Sequence, residues 1–202
     1  MNCATCGALQ CILEDGKNFR GCPTEQQDIV QQAVEELKKE ENYEFYQTSA
    51  KIEKEGYGVW PRVKETMEFA KSMNYKKIGI AFCAGLRKEA EILHGIIEDH
   101  GMEAYSVMCK TGRMDKSHMG LSEEDKLQEG FEPMCNPIAQ AFFLNEVATE
   151  LNIILGLCVG HDSLFSKYSN AFVTTLVVKD RVLAHNPVGA LYTQHSYYRS
   201  KL

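Results

Sequence analysis

From residue 76 onward the sequence alternates short apolar runs with amphipathic segments, and this alternation constrains the fold more than any other feature. The apolar runs are predicted strands at residues 78–82, 103–108, 153–157 and 172–179. Helical periodicity covers residues 86–100, 136–151 and 162–168. Alternation of this kind is typical of a parallel sheet that helices cover on both faces. We therefore predict a Rossmann-like, three-layer α/β domain with a parallel sheet of about four strands.

Four of the eight cysteines occupy related places in this pattern. Cys83, Cys109 and Cys158 each follow directly on a predicted strand. Cys135 precedes a predicted helix that Asn136 is suited to cap, and such a helix begins beside the carboxyl edge of the sheet. Because the carboxyl ends of parallel strands meet at one edge, we predict that the four thiols share one cofactor-binding site.

The other four cysteines lie in residues 1–24, at Cys3, Cys6, Cys11 and Cys22. This segment has too few sizeable apolar side chains to bury a core of its own. A bound metal would supply the missing stabilisation, on the order of 10 kcal/mol or more for structural zinc. The spacing C-x2-C-x4-C-x10-C suits tetrahedral coordination by four thiolates, so we predict a cysteine-rich metal-binding knuckle.

The sequence leaves the metal open between zinc and a [4Fe-4S] cluster. Zinc is the usual metal of a four-thiolate site, whereas Pro23 after Cys22 is also typical of iron–sulfur runs. Free thiols in this number indicate a reducing compartment, and the chain begins without signal-peptide features, so a cytoplasmic location is expected. A net charge of -6 and the absence of long apolar runs predict neither a nucleic-acid nor a membrane partner.

The predicted organisation has three parts. Residues 1–24 form the metal-binding segment, residues 25–75 form a helical segment that packs on the main domain, and residues 76–202 form the α/β domain. The polar stretch 110–134 is long for a loop in a compact domain, and such loops are usually functional or act as lids.

Two further groups of residues are candidates for the strand-end site. His161 and Asp162 follow Cys158 closely, and as catalytic candidates they suit a fifth ligand, a residue that orients a metal ligand, or general acid–base work. Hydrogen bonding at the start of a helix is the alternative role for His161. The stretches Lys179-Asp180-Arg181 and His185-Asn186 are predicted to line the same crevice.

The chain resembles a domain-of-unknown-function family of anaerobes whose members are often labelled metal-binding proteins. The resemblance covers nearly the whole length and rests on motifs at residues 3–6, 82–85, 135–141, 156–162, 179–181 and 185–187, which include Cys135-Asn-Pro and Gly-His161-Asp. It implies metal binding. Strand-end cysteines around a [4Fe-4S] cluster are also similar, at the level of the fold, to those of sulfur-handling enzymes such as thiouracil desulfidases.

Three functions are compatible with these features. The first is a cytosolic metal-binding protein with two four-cysteine sites, possible roles being electron transfer and sulfur chemistry. The second is a small-molecule or thiol-dependent enzyme that uses Cys158, His161 and Asp162, with metal only at the N-terminal site. The third is a non-catalytic interaction module. The expected partners are a metal ion or cluster and a small molecule at the strand ends.

Overall fold

A computed structural model describes residues 2–202 and divides the chain into two compact units, Met1–Tyr57 and Gly58–Leu202. The smaller unit starts with three short 3-10 turns at Cys3–Thr5, Gln10–Ile12 and Pro23–Glu25. Two helices follow, α1 (Gln27–Leu37) and α2 (Glu40–Gly56). The domain boundaries predicted after residues 24 and 75 stay a prediction.

The larger unit alternates helices and strands as the sequence predicts. Its elements are α3 (Arg62–Ser72), β1 (Lys77–Phe82), α4 (Arg87–Asp99), β2 (Glu103–Met108), α5 (Pro137–Glu146), β3 (Leu151–Leu155), α6 (His161–Tyr168), β4 (Phe172–Val177) and α7 (Val188–Tyr192). The four strands form one parallel sheet in the order β2-β1-β3-β4. This confirms the predicted α/β class and the parallel sheet of about four strands, and the arrangement fits a Rossmann-like fold.

The order of the strands distributes the helices over both faces of the sheet. The connection from β1 to β2 and the connection from β2 to β3 run in opposite directions across the sheet. Because parallel crossovers are right-handed, opposite directions place their helices on opposite faces. Helix α4 contacts β2 and β1, while α5 packs against α6. The buried faces of these helices and strands form the core.

The start of α5 follows from local sequence signals. The side chain of Asn136 accepts a hydrogen bond from the Ala139 N–H at 3.0 Å, and Pro137 occupies the first helical position. The helix is shorter than predicted and ends at Glu146, because Ala148 adopts a left-handed backbone with φ of 53°. The predicted cap is therefore correct, and the predicted end is five residues too late.

Strand β3 lies two residues earlier than predicted. It covers Leu151–Leu155, and the chain turns away at Gly156, which has a φ of 67°. Cys158 consequently lies three residues beyond the strand rather than directly after it. The apolar run extends to Leu157 because that side chain is also buried, outside the sheet.

A buried polar side chain packs against β1 from β3. Asn152 of β3 pairs with Gly79 of β1 and is fully buried. Its amide nitrogen donates to Ser169 Oγ at 2.8 Å, and its Oδ1 accepts from the Thr149 hydroxyl at 2.8 Å. A polar side chain tolerates burial when its hydrogen bonds are made in this way. Gly79 leaves the space that Asn152 fills.

Candidate metal centre

The carboxyl ends of β1 and β3 meet where the chain changes its direction across the sheet, which is the usual location of a ligand crevice in open α/β sheets. Cys83 follows β1 directly, and its N–H donates to the Leu155 carbonyl at 3.2 Å. Cys109 follows β2 directly, and its N–H donates to the Phe82 carbonyl at 2.9 Å. Because β1 and β2 are neighbours in the sheet, these two predicted site residues lie side by side, and both thiols are buried.

The segment between β2 and α5 brings Cys135 to the same place. The Asn136 N–H donates to the Cys109 carbonyl at 2.8 Å, and the Cys135 and Cys109 sulfurs are 3.9 Å apart. The distance is too long for a disulfide, and all eight cysteines are free. The structure therefore brings together two cysteines that are separated by 25 residues of chain.

Ion pairs order the long segment 110–134. The Lys126 side chain is only 4% exposed, and its Nζ lies 3.1 Å from Asp115 Oδ1. Lys116 Nζ lies 3.0 Å from Glu132 Oε1, and the Asp115 carboxylate also accepts the Glu132 N–H at 2.7 Å. These contacts close the segment on itself. It is a folded loop whose two ends deliver Cys109 and Cys135 to one point.

The three thiols of Cys83, Cys109 and Cys135 interact as one group. Hydrogen bonding to Cys109 is the main reason why the pKa of Cys83 falls to about 5 and that of Cys135 to about 4. The pKa of Cys109 is raised, first by Cys135 and then by Cys83. The Ala84 N–H also points at Cys109 Sγ, at 3.4 Å. Cys109 therefore lies between Cys83 and Cys135 and lowers the pKa of both.

His161 pairs with a different cysteine from the one its position in the sequence indicates. Hydrogen bonding to Cys135 is the largest cause of the raised pKa of His161, and the same contact lowers the pKa of Cys135. Asp162 Oδ1 accepts the Ser163 N–H at 2.8 Å in the first turn of α6. The structure thus places His161 beside Cys135 of the thiol cluster. Asp162 instead forms a hydrogen bond within the first turn of α6.

Cys158 and Cys83 each contact a basic side chain from the segment after β4. Arg181 Nη2 lies 3.0 Å from Cys158 Sγ, and Lys179 Nζ lies 3.3 Å from Cys83 Sγ. Both cations therefore lie beside the strand-end thiols. We call residues 179–185 the basic turn.

Asp180 and His185 hold the basic turn in shape. The Asp180 carboxylate accepts the N–H groups of Val182 and Leu183 at 2.9 and 2.8 Å. His185 Nδ1 accepts the Asp180 N–H at 3.1 Å. Of the residues predicted to line the crevice here, Lys179 and Arg181 reach the thiols, and Asp180 and His185 support the turn.

Gln140 and Lys110 belong to the site although sequence reasoning gave neither a role. Gln140 is fully buried on α5, and its Nε2 donates to the carbonyls of Val107 at 2.6 Å and Phe82 at 3.2 Å, just before two of the cysteines. Its Oε1 is the buried side-chain atom without a partner among residues 2–202. Lys110 contributes to the lowered pKa of Cys135. A polar side chain in an apolar helix was the available signal for Gln140.

The four N-terminal cysteines are less buried than Cys83 and Cys109. Cys3 and Cys11 are exposed, and Cys6 and Cys22 are half-buried. Across residues 2–202, no three Cys, His, Asp or Glu side chains stand, as they are, in a geometry that would hold a metal ion. The predicted N-terminal knuckle and the metal occupancy of the strand-end site therefore stay predictions.

The lowered pKa values lead to a testable titration. In reduced, metal-free protein, Cys83 and Cys135 are expected to remain thiolates at neutral pH and to protonate only near pH 5 and pH 4, because lowered pKa values extend the thiolate form into the acid range. Ultraviolet thiolate absorbance measured against pH checks this result. The Cys83→Ser/Cys135→Ser variant should lack the acid transition, and a wild-type curve confined to alkaline pH would contradict the assignment.

Comparison with known proteins places these features in a family context. The model of a family described as "Protein of unknown function (DUF1847)" matches residues 22–176, a range that contains Cys22 and all four strand-end cysteines. "Uncharacterized protein MJ0455" of Methanocaldococcus jannaschii is 49% identical over 202 residues, which are 100% of this chain and 98% of that protein. No helix in residues 2–202 is long and apolar enough to cross a membrane.

Proposed function

The chain belongs to the DUF1847 family, and we propose that it is a metal-binding protein whose centre is built from the thiolates of Cys83, Cys109 and Cys135 at the carboxyl edge of the sheet. The observation that carries this proposal is the cluster itself, in which the Cys109 and Cys135 sulfurs are 3.9 Å apart and Cys83 hydrogen-bonds to Cys109. Metal binding replaces the protons of thiol ligands, and thiols that lie this close together are suited to that exchange.

The sulfur separation supports a single ion. Tetrahedral coordination with metal–sulfur distances of about 2.3 Å places neighbouring sulfurs about 3.8 Å apart, close to the Cys109–Cys135 distance. Zinc is the expected ion for such thiolates, and a [4Fe-4S] cluster is the alternative. When bound, zinc would supply structural or Lewis-acid chemistry, and a cluster would supply electron transfer or sulfur chemistry.

The surroundings of the cluster suit the charge of a thiolate centre. Lys179 hydrogen-bonds to Cys83, and Lys110 lies near Cys135. The Ala84 N–H donates to Cys109 Sγ. Cations and N–H groups around metal thiolates offset their negative charge and orient them.

The proposal also includes a second metal site and a cellular location. The spacing of Cys3, Cys6, Cys11 and Cys22 supports a second, N-terminal metal site, although this part of the chain does not bring the four thiols together as ligands. Eight free cysteines support a reducing, cytoplasmic location.

The decisive experiment is elemental analysis after anaerobic purification. Zinc, iron and acid-labile sulfide are measured per chain for the wild type, Cys109→Ser and Cys3→Ser/Cys6→Ser. We expect Cys109→Ser to lose one metal ion per chain, because serine removes a thiolate from the centre of the cluster. The N-terminal variant should keep that ion. Iron with equimolar sulfide would identify the cluster instead of zinc.

The pairing of Cys135 with His161 favours a second candidate function, a thiol-dependent enzyme. A cysteine that is hydrogen-bonded to a histidine is the usual form of an activated cysteine nucleophile, and this contact lowers the pKa of Cys135. Equal metal content in the wild type and Cys109→Ser, together with rapid alkylation of Cys135 at neutral pH, would reject the metal centre and support this candidate.

A further inference from the structure

Cys158 differs from the other strand-end cysteines in the partner of its sulfur. Its Sγ accepts a hydrogen bond from Arg181 Nη2 at 3.0 Å, whereas Cys83 and Cys135 each interact with Cys109, and Cys83 also accepts from Lys179 Nζ. The next residue, Val159, is 92% exposed. Cys83 and Cys109 are buried, whereas Cys135 and Cys158 are half-buried, so the site reaches solvent at its Cys135 and Cys158 side.

Arg181 is held in place at this side. The basic turn is closed by the hydrogen bonds of Asp180 to the N–H groups of residues 182 and 183, which fixes the backbone beside Arg181. Thiolates at Cys83 and Cys135 also act electrostatically on its guanidinium, which places this cation within reach of the cluster. A positioned guanidinium next to a thiol cluster is a ready partner for a carboxylate.

We propose that the metal centre is an open one, in which Cys83, Cys109 and Cys135 hold the metal and the fourth position receives a small anionic thiol whose carboxylate pairs with Arg181. This inference rests on the proposed function and deepens it by naming a class of ligand. Three protein ligands with an exchangeable fourth position are typical of zinc sites that act on a ligand, whereas structural sites are closed by four.

The chemistry of the site selects this class. A centre of soft thiolates favours a further sulfur donor. Lys110 and Lys179 add positive charge on the same edge of the sheet, which favours a ligand with negative charge. Arg181 donates to Cys158 Sγ in the structure, and in this proposal a ligand carboxylate takes the place of that sulfur.

The test uses the full chain loaded with cobalt(II), whose visible absorption reports its ligands. The N-terminal site is removed by Cys3→Ser/Cys6→Ser in every sample, so that only the strand-end centre is observed. Titration with mercaptoacetate is expected to change the spectrum. Arg181→Gln is expected to weaken mercaptoacetate roughly 10- to 100-fold, as loss of a charged hydrogen bond does, and to leave uncharged mercaptoethanol unaffected.

Cys158→Ser provides the second measurement. It is expected to keep one cobalt per chain, because Cys158 is not a resident ligand, whereas Cys109→Ser loses the metal. Loss of cobalt in Cys158→Ser equal to that in Cys109→Ser would overturn the open centre and leave the metal centre itself standing. A cobalt spectrum that mercaptoacetate does not change would overturn the inference in the same way. Failure of the parent sample to bind cobalt rejects the proposed function itself.

Discussion

Gly79→Ala is expected to destabilise the larger unit by about 4 kcal/mol, a large part of the stability of an ordinary domain. A Cβ at this position would stand 1.9 Å from Asn152 Oδ1 and 2.9 Å from Leu144 Cδ1. Both side chains are fully buried. Asn152 has no room to move without breaking its hydrogen bonds with Thr149 and Ser169, and the broken bonds would leave buried polar groups unpaired.

Urea unfolding of the metal-free protein measures this effect, and Gly95→Ala is the matched control. Gly95 lies inside α4, and a Cβ there would meet no atom within 4 Å. Alanine at that position should stabilise the protein by about 0.5–1 kcal/mol, because glycine is a poor helix former. Equal midpoints for Gly79→Ala and the wild type would show that Asn152 does not pack against β1 as described.

The second large effect is expected for Gly156→Ala, at about 3 kcal/mol together with weaker metal binding. Gly156 has a φ of 67°, and a Cβ there would stand 2.5 Å from Leu86 Cδ1. Leu86 is 2% exposed and donates its N–H to the Cys83 carbonyl at 2.8 Å. Displacement of Leu86 would therefore move the turn that carries Cys83 into the site.

Gly160→Ala separates the two causes of this effect. Gly160 also has a positive φ, 83°, but a Cβ there would meet no atom within 4 Å. Gly160→Ala should therefore lower the free energy of unfolding only by the backbone strain, about 1–2 kcal/mol, and leave metal affinity unchanged. Urea unfolding and cobalt titration of both variants make the comparison. Identical metal affinity in Gly156→Ala and Gly160→Ala would show that the Leu86 contact does not support the site.

The parts of the fold that the sequence predicts well depend on local signals. Strand β2 has the predicted bounds, and the start of α5 follows from the cap at Asn136 and the proline after it. The places of Cys83 and Cys109 directly after their strands are also as predicted. These features depend on side-chain periodicity and capping within a few residues, which the sequence displays directly.

Other parts depend on how distant segments meet. Apolar character extends β3 to Leu157 in the prediction, but the turn at Gly156 ends the strand earlier while Leu157 stays buried. The pairing of His161 with Cys135 was not predicted from the sequence, because proximity along the chain favours Cys158. Gln140 gains its role from carbonyl groups of two strands, β1 and β2, that are distant in sequence.

By itself, the sequence determined the alternation of strands and helices, the parallel sheet and the edge of that sheet at which thiols collect. The tertiary structure alone decided which thiols touch. Three sulfurs come together because of the strand order β2-β1-β3-β4 and the ion-paired loop between Cys109 and Cys135. The basic turn places Arg181 within hydrogen-bond distance of Cys158. The physical reason is that periodicity records which face of an element is buried, whereas a distance between two sulfurs depends on the paths of all the segments that connect them.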